Sequence, residues 1–418
     1  MTKATLYAAF LFAFLQNAAG QPALPVSLDI RSPLGRGGLV ELKDGRLMMI
    51  AAGLSVSHSR DGGRTWSALS PLLAEGVRIQ GALDPVGLLR LKSGAIALLY
   101  GQDARPVGSP EGHNLFLRKS RDEGETWSRE IRINVPGVTA SPYHDTLIQL
   151  ENGRLVLPVR WFIAGKYPEL KGAGAFGFFR GKRFQIQGHG HIPEMDTTFV
   201  YFSDDEGETW QASDGEVVIW HKDGAGGIWP CDEPSAAELK NGRVLMFMRT
   251  TLGRIYQSLS DDGGRIWHLP QPTDLASSYS PPRLRRIPGT RDLLAIWNQV
   301  SADEIRRGYW RGRLSLAIST DDGKTWGKFR TLHVSGGLEN VARAEPEPEI
   351  GMVRALKNVG SLPEDFSGAT YPNAVFVRDH VFIMFDYRSD LGLSGDKVQY
   401  QTNYRRLLVR PVKWLYEP

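Results

Sequence analysis

Continuous apolar runs, each folded over a short polar turn, recur along the chain. Leu39 to Ile50 bends at Asp44-Gly45, Val86 to Tyr100 at Ser93-Gly94, Thr146 to Val159 at Asn152-Gly153, Ala236 to Met248 at Asn241-Gly242, and Leu284 to Trp297 at Gly289. Glycine beside Asn, Asp or Ser between two apolar stretches is a hairpin signal, so these runs predict paired antiparallel strands. A sixth unit, Ala374 to Tyr387 around Arg378-Asp379, is followed by a last strand from Tyr404 to Val412.

Behind each of the first five hairpins stands one eight-residue motif, Ser-x-Asp-x-Gly-x-Thr-Trp. Its copies are Ser59 to Trp66, Ser120 to Trp127, Ser203 to Trp210, Ser260 to Trp267 and Ser319 to Trp326, and only Ile266 departs from it. The chemistry is that of a turn: aspartate accepts backbone N–H groups, glycine permits positive φ, and tryptophan anchors the turn on the sheet. Five regularly spaced carboxylates do not make a metal or catalytic site here, because each occupies the same place in its own repeat. The turn aspartates stand 61, 83, 57 and 59 residues apart. A repeat of that size holds four strands, the blade of a β-propeller. The chain is therefore expected to be all-β, a six-bladed propeller of four-stranded antiparallel blades. The long step contains a Gly-rich insertion at about 160–199 with His189 and His191, read as exposed loop histidines and not as metal ligands.

Composition narrows the setting. Hydrophobic residues at 41%, charged residues at 23%, 46 Gly and 25 Pro exclude a disordered or collagenous chain. Lys3 precedes an apolar run from Leu6 to Leu15, and Ala18, Ala19 and Gly20 precede Gln21, the pattern of an export signal cleaved near Gly20. Residues 1–20 are thus expected to be a signal peptide, and 21–418 one domain in the periplasm or outside the cell. That run is too short to span a membrane as a lasting helix. Cys231 is the single cysteine, so a large buried core must hold the fold without an internal disulfide. The net charge of +4 is spread singly, which gives no nucleic-acid or membrane patch. No cofactor and no obligate protein partner is expected.

In a propeller the innermost strands begin near the axis, so side chains at those beginnings meet in one pocket. The six beginnings carry Arg36, Asp84, His144 with Asp145, Glu233, Ser280 or nearby Arg283, and Tyr371, with Arg249 and Arg311 on later strands of blades 4 and 5. The stretch Glu233-Pro-Ser-Ala-Ala-Glu238 through Gly242 to Arg249 resembles the sialidase (neuraminidase) segment that carries a catalytic glutamate and one arginine of a triad. Arg36-Gly-Gly-Leu ahead of Asp44-Gly45 is similar to the family's first arginine segment, where Arg-Ile-Pro is usual. Arg311 to Ser319 is similar to the third, and Tyr371-Pro-Asn-Ala-Val to the strand of the tyrosine nucleophile. Leu83-Asp84-Pro85 and His144-Asp145 match inner strands of blades 2 and 3. The resemblance runs from about Arg31 to the C-terminus.

It implies that Arg36, Arg249 and Arg311 bind a sugar carboxylate, that Tyr371 attacks, and that Glu233 takes the phenolic proton. The chemistry coheres, since guanidinium forks match a carboxylate. A base beside a phenol also activates a nucleophile that does not repel the substrate's own charge. His144 and Asp145 are further expected substrate contacts. Sialidases also place an acid/base aspartate on a long first-blade loop, and here that connection is only Ala51-Ala52-Gly53-Leu54. Asp84 is the favoured replacement proton donor, with Asp145, His144 or a different substrate as the other solutions. The leading expectation is a retaining exo-glycosidase that releases a terminal acidic sugar from an acidic glycan or sialoglycoconjugate. Two others stand beside it: a propeller lyase on uronate-containing glycans, with Tyr371 or His144 as the base, and a non-catalytic propeller that binds acidic carbohydrate.

Overall fold

The computed structural model describes residues 21–418 except 52, 75–76, 80–81, 104–112, 136–139, 163–175, 180–181, 186–195, 222–226, 308, 339–357, 395–396 and 418. The apolar runs pair into six antiparallel sheets, numbered here as blades from the innermost strand outward. Blade 1 comprises Gly37–Glu41, Leu47–Ala51, Ser55–Ser59 and Ser70–Pro71, and blade 2 Ala82–Arg90, Ile96–Asp103, His113–Ser120 and Ile131–Arg132. Blade 3 has an inner strand in two pieces, Ala140–Ser141 and Ile148–Gln149, then Leu155–Phe162, Asp196–Ser203 and Gln211–Ala212. Blade 4 is Asp232–Glu238, Val244–Arg249, Arg254–Ser260 and Gln271–Ala276, and blade 5 Arg283–Arg286, Leu293–Trp297, Arg313–Ser319 and Gly327–Val334. Blade 6 is Gly368–Val377, His380–Ser394 and Lys397–Pro411, completed from the other end of the chain by Leu28–Arg31. The six-bladed propeller read from the repeat is the observed architecture.

The apolar runs are continuous because both faces of each blade are covered. In blade 1, Met48 and Ile50 pack with Leu88 and Leu98 of blade 2. Their neighbours Leu47 and Met49 point the other way and pack with Phe382 and Met384 of blade 6. Blade 4 repeats this, with Val244 and Met246 facing blade 3 and Leu245 and Phe247 facing blade 5. Alternation with period two therefore distributes side chains between two apolar interfaces instead of between core and water.

The sequence offers three of blade 6's four strands, and the fourth, Leu28–Arg31, closes the ring. It pairs antiparallel with Lys397–Pro411, Leu28 opposite Val409 and Arg31 opposite Arg406. Asp29 also accepts from the Arg406 guanidinium. The repeated motif behaves as its chemistry requires. Asp61 Oδ1 accepts the Ser59 hydroxyl at 2.8 Å and the Thr65 N–H at 2.9 Å, Oδ2 accepts the Thr65 hydroxyl at 2.6 Å, and the Trp66 indole donates to the Gly63 carbonyl. Gly63 has φ of 93°, which a side chain would strain.

Between Phe162 and Asp196, within the predicted insertion, Phe176–Phe179 pairs antiparallel with Lys182–Gln185 and runs parallel to Asn358–Leu362, the segment ahead of blade 6. Blades 3 and 6 stand opposite each other in the ring, and by chain order both partners of this small sheet leave their blades on the face on which the inner strands begin. His189, His191 and the expected signal peptide lie outside the described residues. No helix of the described residues is long and apolar enough to cross a membrane.

In the blade 4 turn, Asp262 keeps the Ser260 hydroxyl and the backbone bonds from Arg265 and Ile266 but has no hydroxyl from position 266 to receive, and Ile266 is 54% exposed. Ile266→Thr should therefore stabilise the fold by about 0.5–1.5 kcal/mol, the worth of one added hydrogen bond. A higher urea midpoint with unchanged slope is the expected reading.

Candidate functional site

Three inner strands begin with the same irregularity. The pairing register shifts between Leu83 and Val86 in blade 2, between Asp232 and Ser235 in blade 4, and between Thr370 and Asn373 in blade 6. The residues inside those shifts are Asp84-Pro85, Glu233-Pro234 and Tyr371-Pro372. Proline cannot donate to the ladder, so it is accommodated where a bulge removes that demand, and a bulge re-aims the adjacent side chain. Glu233 has φ of 37° and Tyr371 φ of 55°, left-handed values that the residue before proline is sterically biased against. His144, with φ of 39°, occupies the gap that splits the inner strand of blade 3.

Tyr371 is the centre of a basic cluster. The Arg36 guanidinium carbon lies 3.6 Å from its ring centroid and that of Arg311 5.1 Å. The His144 ring is 5.7 Å away at a steep angle, and Tyr143 5.8 Å. Arg36 is held by Asp386, with Nε and Nη2 each 2.8 Å from Oδ2, and its Nη1 reaches the His144 ring at 3.4 Å. Burial opposes the charge of Arg36, but the Asp386 carboxylate outweighs it and holds the pKa above its ordinary value. Burial drives His144 well below the usual imidazole range, and Arg36, Arg405 and Arg283 push the same way, so the ring is neutral. Asp386 also receives Arg405 at 3.0 Å and Arg388 at 3.6 Å, which leaves one carboxylate among three arginines.

Arg311 differs from all of these. It forms no ion pair among the described residues, and burial, with Arg249 and Arg388 nearby, lowers its pKa although Tyr371 and Glu233 act in the opposite sense. Its position is set through the backbone, where the Ala369 N–H donates to its carbonyl at 2.9 Å and ties the start of blade 5's third strand to the strand of Tyr371.

On the other side of the pocket, Glu233 accepts a hydrogen bond from Arg249, whose guanidinium lies 3.7 Å over the Tyr279 ring. Asp232, fully buried, takes Arg160 at 2.7 Å, Arg249 at 3.7 Å and the Tyr279 hydroxyl at 3.3 Å. Glu233 makes no hydrogen bond to the Tyr371 hydroxyl among the described residues. The two halves still share one field, since Arg249 feels Tyr371 and Arg311 feels both Arg249 and Glu233.

The structure thus brings Arg36, Arg311 and His144 to Tyr371 and joins Arg249 to Glu233. Asp145 stands in the frame. Its carboxylate accepts from the Leu88 N–H at 3.2 Å and the Asn373 amide at 3.1 Å, while its carbonyl takes Arg283 and Arg285, so four blades meet there. Arg283 is buried and also donates to the Pro372 carbonyl at 3.2 Å, bracing the bulge behind Tyr371, and Ser280 bonds to Ser278 at 2.9 Å. The backbone of Asp84 lies in the blade 2 bulge, and its side chain is outside the described residues. The blade 1 connection is a tight turn between Ala51 and Ser55, with Gly53 at φ of 74°, and carries no carboxylate.

Sequence reasoning missed Arg160, Asp232 and Asp386. A signal was present: each blade's second strand is an apolar run, and the first polar residue after it sits at the pocket face. In blades 3 to 6 that residue is Arg160, Arg249, Asn298 and Asp386.

Fold and pocket together define a propeller with an arginine-rich axial site centred on a tyrosine. The sequence matches the BNR repeat-like domain over residues 51–383, and the chain belongs to that family. No curated protein matches it. Among solved structures, a protein of unknown function from Dyadobacter fermentans is similar with a TM-score of 0.56 at 16% identity, covering 93% of this chain and 100% of that one. The NanB sialidase of Streptococcus pneumoniae, as its K499G mutant, superimposes with a TM-score of 0.53 at 13% identity over 92% of this chain and 70% of its own. The α-L-arabinofuranosidase arb93a of Fusarium graminearum gives 0.53 at 13% identity, over 94% and 100%. The fold is accordingly one shared with glycoside hydrolases.

Asp386 and Arg311 should respond oppositely to removal of charge. Asp386→Asn strands buried guanidiniums and is expected to cost about 3–5 kcal/mol in denaturant unfolding. Arg311→Met removes a cation with no ionic partner among the described residues and should leave stability equal or higher.

Proposed function

We propose that the protein is an exo-acting retaining glycosidase whose pocket receives the carboxylate of a terminal acidic sugar. The observation that carries this reading is Arg311, a half-buried guanidinium without a carboxylate partner among the described residues, set against Tyr371 beside Arg36. An uncompensated cation in a protein interior is unfavourable, and a ligand anion relieves it. The sheet bridging blades 3 and 6 over the same face suits a pocket that admits a chain end. The export signal read at residues 1–20 suits a substrate outside the cytoplasm.

In this reading the substrate carboxylate lies between Arg36, Arg249 and Arg311. It competes with Glu233 for Arg249, which turns the Glu233 carboxylate towards the Tyr371 hydroxyl. Tyr371 Oη then bonds to the anomeric carbon as Glu233 takes its proton, the logic of a base-activated nucleophile. Breaking of the bond to the leaving oxygen needs a proton, and Asp84, in the same bulge position as Glu233 and Tyr371, is the proposed donor. Water, deprotonated by that same residue, releases the sugar with retention, tyrosine replacing the second carboxylate of the usual pair.

One observation favours a second reading. The blade 1 turn offers no acid, while a neutral His144 stands beside Tyr371 and Arg36, a set able to remove a proton next to a neutralised uronate. A lyase product would carry a new double bond absorbing in the ultraviolet.

A panel of arylated acidic sugars separates these. Tyr371→Phe should lower aryl release by at least about 10³-fold, the order expected when a nucleophile is removed. Binding of the free sugar should persist, and mass spectrometry of the trapped wild-type enzyme should find the sugar on Tyr371. Turnover by the Phe variant close to wild type would refute the proposal, and ultraviolet-absorbing product would replace it with elimination.

A further inference from the structure

Behind Glu233 lies a carboxyl group for which the reaction above has no use. Asp196 begins the third strand of blade 3, is 1% exposed, and neither of its carboxyl oxygens has a hydrogen-bond partner among the described residues. Its backbone carbonyl accepts the Cys231 N–H at 3.0 Å, which fixes it against the residues that lead into Asp232 and Glu233. The charged groups that act on it are Asp232 and Glu233 from the first strand of blade 4, Arg249 from the second strand of that blade, and Arg160 from its own. Cys231 and Tyr279 also face it, and both are neutral, the thiol pushed up to about 12 and the phenol well above its ordinary value, chiefly by burial.

This neighbourhood holds three carboxyl groups and two guanidiniums. Asp232 is bonded to Arg160 and Glu233 to Arg249, so each cation already has its anion. A third buried negative charge without a donor would be strongly unfavourable, whereas a neutral acid is tolerated. We propose that Asp196 is a positioning residue present as an un-ionised carboxylic acid, whose neutrality leaves the Asp232–Arg160 and Glu233–Arg249 pairs undisturbed and so holds Arg249 in place at the pocket. Burial is the main reason for this state and the Asp232 charge the second, and together they raise the group to about 8. Ionisation of Asp196 would draw Arg249 and Arg160 back from the pocket, and the anion site would lose a fork of donors. The effect on ligand rests on the reading of Arg249 as part of that site, while the protonation state does not.

Two measurements keep those apart. In the unfolded chain an aspartate releases its proton near pH 4, while the folded protein holds this one up to about pH 8. The native state therefore binds the extra proton in that window, and the folding constant should fall by up to about tenfold per pH unit as pH rises through it. In Asp196→Asn, which mimics the neutral acid, this component should vanish, and the infrared band of a protonated carboxyl group seen in the wild type at pH 7 should be missing. Equal pH slopes in the two proteins overturn the proposal, and so does the lack of such a band in the wild type, a result that does not need the Asn variant to fold. For the ligand arm, calorimetry with sialic acid should show affinity weakening by up to about tenfold per pH unit above 8 in the wild type and staying nearly level in the Asn variant. The same alkaline loss in both proteins removes the positioning role. No binding at any pH defeats the acidic-sugar reading instead, and the folding and infrared results still decide the state of Asp196.

Discussion

Each second strand is packed between two neighbouring blades, and this two-sided burial is what the pocket depends on. Leu47, Met48, Met49 and Ile50 are all buried although they alternate in direction, because blade 6 and blade 2 cover them in turn. Six such interfaces arranged in a closed ring leave no blade with a free face. Closure requires the pairing of Leu28–Arg31 with Lys397–Pro411, which joins the first strand to the last. A ring held in this way can impose strain at its axis. Glu233 and Tyr371 sit at positive φ ahead of proline, and such values persist only where surrounding structure over-determines them.

The strain has a geometrical use. A regular strand would send Glu233 and Tyr371 alternately to one blade interface or the other. The bulge takes them out of that alternation and frees them for the axis. The frame beneath is correspondingly stiff: Arg283 and the Tyr143 hydroxyl both donate to the Pro372 carbonyl, and the Asn373 amide donates to Asp145. Buried polar groups satisfied this way specify one arrangement.

What could be read in advance follows the range of the interactions. The turn motif is decided within eight residues, so Asp61 and its bonds to Ser59 and Thr65 were legible from residue types alone. The hairpins were legible because an apolar run with a Gly-containing turn has few other solutions. The closing strand was not, since Leu-Asp-Ile-Arg has no distinctive pattern and its partner lies at the far end of the chain. Resemblance brought out Arg36, Glu233, Arg249, Arg311 and Tyr371, yet it could not separate Asp145 from them. His144 and Asp145 are adjacent in sequence, but one ring meets Tyr371 while the other side chain meets Leu88 and Asn373. Asp386 and Asp196 were hidden for another reason: a single acid at the edge of an apolar run acquires meaning only from arginines supplied by other strands.

The pocket has two electrostatic halves with Arg249 on their boundary. Around Tyr371 cations are in excess, with Arg36, Arg388 and Arg405 sharing Asp386 and Arg311 outside any ion pair among the described residues. Around Asp232 carboxyl groups are in excess, relieved by Arg160, by Arg249 and by a proton on Asp196. An anion entering such a site is drawn to the first half and repelled by the second, so the field of the pocket orients it before closer contacts are made. Arg249 is bonded to Glu233 on one side and feels Tyr371 on the other, and whatever takes it from Glu233 changes what that carboxylate is free to do. A binding event on one side of the pocket is thereby coupled to the basicity available on the other, with no movement of the propeller required.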